Sequence, residues 1–152
     1  MGRATSFLDR QLGVIVLWAP VVIYMAAIFW MSSRSDPIPG LRLVSGTDKV
    51  AHALAYGLLA YLFTRALHQT WPSRGAITMA ALGAAIASLY GALDEFHQTF
   101  VPGRHGSIWD VVADTVGAIL GASIYLAFFK MSSRKLATGH GRKTGRSSMS
   151  SV

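Results

Sequence analysis

The chain reads as an all-α membrane protein, a bundle of four transmembrane helices with a disordered basic C-terminal tail. Three observations predict it. Among 152 residues, 52% are hydrophobic and only 14% are charged, whereas a soluble domain carries about a quarter charged residues. The mean hydropathy is positive, +0.41. Four stretches approach the roughly 20 mostly apolar residues that a membrane helix needs. No cysteine is present, which excludes disulfides, thiolate zinc sites and cysteine nucleophiles. No repeat divides the chain, so residues 1–131 read as one membrane domain and 132–152 as its tail.

The first span, LGVIVLWAPVVIYMAAIFWM (12–31), is apolar throughout, and Pro20 is tolerable there if neighbours satisfy the freed carbonyl. Its apolar run is too long for a signal peptide and no small-residue cleavage site follows, so it reads as an uncleaved anchor. The second span (50–67) has His52 near its start and Arg65 near its end. The third (76–96) is rich in small residues and closes on Asp94 and Glu95. The fourth (108–129) opens with Asp110 and Asp114 and then turns apolar. The tail from 132 to 152 is polar, basic and rich in Ser and Gly, with too little apolar surface to fold. The start MGRATS fits a loose myristoylation pattern, but beside four spans an acyl chain adds little.

The net charge of +7 lies mostly in the tails. It reads as a topology signal rather than a nucleic-acid surface. Arg3, Arg10, Arg65, Arg74 and the basic tail fall on one side of a four-span chain, and Arg34, Arg42, Lys49 and Arg104 on the other. The excess marks the cytoplasmic side. The expected placement is therefore a bacterial cytoplasmic (inner) membrane, with both termini cytoplasmic and the first and third loops facing out.

That topology collects Asp48, Asp94, Glu95, Asp110 and Asp114, five of the seven acids, near the outer face. Lys49, His52, Gln98 and Arg104 lie at the same level. Asp48, His52 and Tyr56 follow at intervals of four on one helical face, as Gly91, Glu95 and Gln98 do on the next helix. Asp110, Asp114, Gly117 and Gly121 form a stripe that ends in GAILG, a small-xxx-small pattern permitting close helix approach. Structural roles stand beside each of these. Asp48 fits a helix cap and Ser107–Asp110 a capping box. Lys49 fits a headgroup anchor, Arg104 a turn charge, and Gly117 and Gly121 packing alone. His68, His97, His105 and His140 lack helical partners and read as interface or loop residues. Two places resist such readings. Asp114 lies about 6 Å deeper than any cap, where a buried aspartate costs up to roughly 2.5–3.5 kcal/mol. Asp94 and Glu95 end a helix whose dipole is already negative there. Lys49 and Arg104 are too few to neutralise five carboxylates.

Three blocks, DKVAHALAYGLLA, LYGALDEFHQTFVPGRHGSIWD and ADTVGAILG, resemble the signatures of the VanZ-like membrane proteins, over about 48–121. The matching positions are Asp48, Lys49, His52, Glu95, Gln98, Arg104, Asp110 and Gly117. Asp114 departs from the asparagine expected in many relatives, which favours hydrogen bonding at that point. The resemblance implies an integral protein of the bacterial cytoplasmic membrane acting near the cell wall, in a family whose founding member is linked to teicoplanin resistance. The leading expectation is a non-enzymatic site that binds a lipid-linked envelope precursor, a headgroup or a membrane-protein partner. Arg104 and Lys49 would take phosphate and the carboxylates would orient them. The alternative is a membrane-embedded hydrolase or transferase. There Asp48, His52, Glu95, Asp110 and Asp114 hold a divalent cation, or His52 acts as base. No nucleophile motif, phosphate loop or H-E-x-x-H spacing is present, so enzymatic activity stays open and no cofactor other than that cation is expected. A proton- or ion-coupled carrier ranks third, because spans two to four hold almost nothing polar in their cytoplasmic halves.

Overall fold

The computed structural model describes residues 2–35 and 47–144, with side chains for residues 9, 11–35 and 47–133. The described residues form four helices and no strand: α1 (Gly2–Ser32), α2 (Thr47–Thr70), α3 (Ala76–Gln98) and α4 (Ile108–Thr144). Each contains a segment long and apolar enough to cross a membrane: Gln11–Ser32, Thr47–Thr70, Ala76–Gln98 and Ile108–Ser133. The protein is thus a multi-pass membrane protein. In hydrocarbon a helix satisfies its own backbone, which is why apolar runs of this length fold this way. Pro20 lies inside α1 without breaking it.

The helices extend a few residues past the apolar runs at most ends. At the C-terminal side the backbone of α4 is assigned as helix to Thr144, beyond the last apolar span. Residues 145–152 of the tail, and most of the first loop with Arg42, lie outside the described residues.

Helix α2 is the hub. It packs most extensively on α4, then on α3, while α1 lies against α2 and barely meets α3. Leu59, Ala60 and Ala66 of α2 are fully buried, and Tyr56, Phe63 and Leu67 complete its inward side against Val21, Met79, Ala87 and Ala118. The outer surface is more apolar still, with Leu54, Ile77, Leu89, Trp109 and Phe128 all exposed. Exposed hydrophobics of this kind face lipid, so they do not drive helix association.

Close backbone approach does drive it. A Cβ placed on Gly117 or Gly121 would collide with the carbonyl groups of Ala53 and Gly57. The α4 backbone therefore rests directly on α2. Between α2 and α3 the same role falls to Gly83, where a Cβ would stand 2.5 Å from Thr64 Oγ1. This tight three-helix contact brings the polar ends of α2, α3 and α4 together at one end of the bundle.

Candidate functional site

The site forms where α3 ends and α2 and α4 begin. Helix α3 closes on Thr99, whose hydroxyl donates to the Phe96 carbonyl at 2.7 Å. The chain then turns through Pro102 and Gly103, with Gly103 at φ +79°, a left-handed conformation that favours glycine. The Ser107 carbonyl accepts the amides of Asp110 and Val111 at 3.0 and 3.2 Å and starts α4. Helix α1 is tied to this turn, since the Ser35 hydroxyl donates to the Pro102 carbonyl at 2.6 Å.

The polar residues divide into two groups and one lone cation. In the first group Lys49 Nζ donates to Asp110 Oδ1 at 2.8 Å and reaches Asp48 Oδ2 at 3.5 Å. This group is at the bundle rim, with the Lys49 side chain 43% exposed. The pairing changes two sequence-based readings. Asp110 meets Lys49 across α2 and α4, and the Ser107 N–H donates instead to Glu95 Oε2 at 2.8 Å. A long-range acceptor thus takes the place of the expected capping box, because the turn folds Ser107 back over the end of α3.

The second group lies deeper. His52 Nδ1 is 3.0 Å from Asp114 Oδ1 and 3.7 Å from Glu95 Oε1. Gln98 Nε2 donates to Asp94 Oδ2 at 3.1 Å and to Glu95 Oε1 at 3.3 Å. Asp94, Glu95 and Asp114 are 6%, 4% and 0% exposed. Three carboxylates therefore sit in the interior with a single imidazole as the basic group among them. Asp114 fits only because Gly91 faces it, where a Cβ would stand 2.7 Å from Asp114 Oδ2. That oxygen is buried and has no hydrogen-bond partner among the described residues.

Arg104 joins neither group. It makes no ion pair among the described residues, and its buried Nε has no hydrogen-bond partner there. It lines a cavity of about 220 Å³ together with Asp48, His52, Asp94 and Gln98, with Ile28 and Met31 of α1 on the apolar side. All nine expected site residues thus gather at one end of the bundle. Five of them line or border this cavity, while Glu95 and Asp114 stand behind His52.

Some participants escaped sequence reasoning. Tyr56 is buried to 1% exposure, lines the cavity, and holds its hydroxyl near Asp94 without an aligned hydrogen bond. Its place on the Asp48–His52 face was the available signal. Ser32 also lines the cavity, and its buried hydroxyl has no partner among the described residues; no spacing could indicate that. At the opposite end of the bundle, His68 is buried against Tyr125, with Nδ1 3.0 Å from the hydroxyl. His97 meets Ser33, just past the end of α1, at 3.1 Å.

The family model described as VanZ/LLP1 matches residues 10–130, well over half of the 152-residue chain. The chain belongs to the VanZ/LLP1 family. The match covers every residue of the site and ends within the last apolar span. No curated protein and no solved structure matches the chain, so membership in the VanZ/LLP1 family is what comparison contributes. The chemistry rests on the geometry above.

Proposed function

We propose that this VanZ-family protein lies in the bacterial cytoplasmic membrane, both termini cytoplasmic, and binds the phosphate-bearing headgroup of a lipid-linked envelope molecule at its outer face. The observation that carries the reading is Arg104. A guanidinium on a cavity wall, with a buried Nε that has no partner among the described residues, is a donor set suited to an anion, and its planar fork fits phosphate. The rest of the lining agrees. Asp94, Asp48 and Gln98 can accept hydrogen bonds from hydroxyl or ammonium groups of the same headgroup. Ile28 and Met31 lead from the cavity onto the lipid-facing side, where an acyl or isoprenoid chain would run. About 220 Å³ is below the range of drug-sized pockets and suits a headgroup with its tail left in the bilayer.

The test is binding in nanodiscs. Wild-type protein should retain a phosphate-bearing lipid through purification, detected by native mass spectrometry, and Arg104→Ala should lose it. Equal retention by both would overturn the reading. If the ligand is a wall precursor, deletion should also shift teicoplanin susceptibility, and the Arg104→Ala protein should fail to restore it.

A second reading, a membrane-embedded hydrolase or transferase, is favoured by one observation. His52 lies beside the cavity with Asp114 3.0 Å behind it, the arrangement of a general base with an orienting carboxylate. Turnover of a lipid-linked phosphate that vanishes in His52→Gln would support it. The purified protein's failure to turn over any such lipid would remove it.

A further inference from the structure

We propose that His52, Glu95 and Asp114 bind one first-row divalent cation of the manganese or zinc type, in the wall of the cavity. This goes beyond the headgroup reading and does not depend on it. The three side chains come from α2, α3 and α4, and one donor atom from each lies within 4.8 Å of the others. Metal–ligand bonds of about 2.0–2.2 Å set tetrahedrally disposed donors roughly 3.4 Å apart. The two separations from His52 Nδ1, 3.0 and 3.7 Å, bracket that value.

Charge gives the reason for an ion to be there. Glu95 and Asp114 are almost wholly buried, and a buried carboxylate stays ionised only when it is paired or metal-bound. Lys49 is engaged by Asp110 and Asp48 at the rim, and Arg104 forms no ion pair among the described residues. Protonated His52 would supply one positive charge against two carboxylates, with buried Asp94 adding a third. A divalent cation held by neutral imidazole supplies two.

A second observation points the same way independently of the clustering. Asp114 is 0% exposed, and its Oδ2 is buried without a donor among the described residues. A buried acceptor oxygen left without a donor costs about 1–3 kcal/mol, which a bound cation would remove. The outer partners are also in place. Ser107 N–H holds Glu95 Oε2 at 2.8 Å, and Gln98 reaches Glu95 Oε1 at 3.3 Å; such bonds orient ligand carboxylates. One imidazole with two carboxylates suits manganese, iron or zinc better than magnesium or calcium, which prefer oxygen alone. His52 borders the cavity, so a coordination position left open on that side would face the headgroup phosphate.

The full chain, purified in detergent without chelator and freed of any affinity tag, tests this by elemental analysis and by titration with Mn²⁺ and Zn²⁺. We expect about one ion per chain and a rise in melting temperature on adding either metal. His52→Gln and Asp114→Asn should each weaken binding by about 100-fold or more, since loss even of an outer partner costs 10–100-fold. For the Mn²⁺-loaded protein, the electron paramagnetic resonance signal should change on His52→Gln. Substoichiometric metal in the wild type, with no change in melting temperature at millimolar Mn²⁺ or Zn²⁺, overturns the proposal. So does wild-type affinity in both variants. Ion uptake that persists in Arg104→Ala supports the site whatever the fate of the headgroup reading.

Discussion

Replacing Gly121 with alanine adds one methyl group at the tightest contact in the bundle. The added Cβ would fall well inside van der Waals distance of the Gly57 carbonyl. The opposing atoms are backbone, so no rotamer change relieves the overlap and α4 must move away from α2. At Gly57 the same substitution is far milder, because its Cβ would stand 3.0 Å from the Gly117 oxygen and needs only a few tenths of an ångström. Gly→Ala raises helix propensity by about 1 kcal/mol, and this gain is common to both variants, so it cancels in their difference. Overpacking in a close-packed interior costs about 1–3 kcal/mol. Gly121→Ala should therefore be less stable than Gly57→Ala by about 1–3 kcal/mol. Separating α4 from α2 should also stretch the 3.0 Å His52–Asp114 contact and weaken any ligand held there. Unfolding in mixed micelles, followed by circular dichroism and tryptophan fluorescence, gives both stabilities. Equal stability of the two variants would refute the argument that backbone contact, rather than side-chain packing, sets the α2–α4 distance.

The other expectations concern the polar end and one control. His52→Leu removes the only hydrogen-bond partner of the Asp114 side chain among the described residues and should cost about 3–5 kcal/mol; adding Asp114→Leu should recover part of it in a double-mutant cycle. Glu95→Ala takes away the acceptor of the Ser107 N–H, so stability should fall by about 1.5–3 kcal/mol and the Ser107 amide should exchange faster with deuterated solvent. Lys49→Ala breaks a partly exposed ion pair and should cost no more than about 1 kcal/mol in the same unfolding assay. His68→Phe breaks the buried contact to Tyr125 and should cost about 1 kcal/mol, while lipid retention in nanodiscs stays at the wild-type level.

The fold was legible because lipid simplifies it. Apolar runs of about 20 residues have one stable backbone arrangement in hydrocarbon, so span number and approximate limits follow from composition. The family was legible for a different reason, since the blocks around Asp48, Glu95 and Asp114 are local in the chain. Helical spacing also showed which acids share a face.

What spacing within one helix could not decide is which partner each charged group meets on another. Asp110 was as compatible with a cap as with Lys49, and Glu95 as compatible with a free carboxylate as with the Ser107 amide. Those choices depend on the register of α4 against α2, which is set by glycine backbones at 57, 117 and 121 in direct contact. That register places Asp114 against His52, leaves Lys49 to Asp110, and sends Arg104 to the cavity. The types of residue at the site belong to the local sequence, and their division into a paired rim, a buried acid–histidine group and a lone guanidinium belongs to helix packing, because hydrogen bonds and ion pairs act only over a few ångströms and only packing brings distant residues that close.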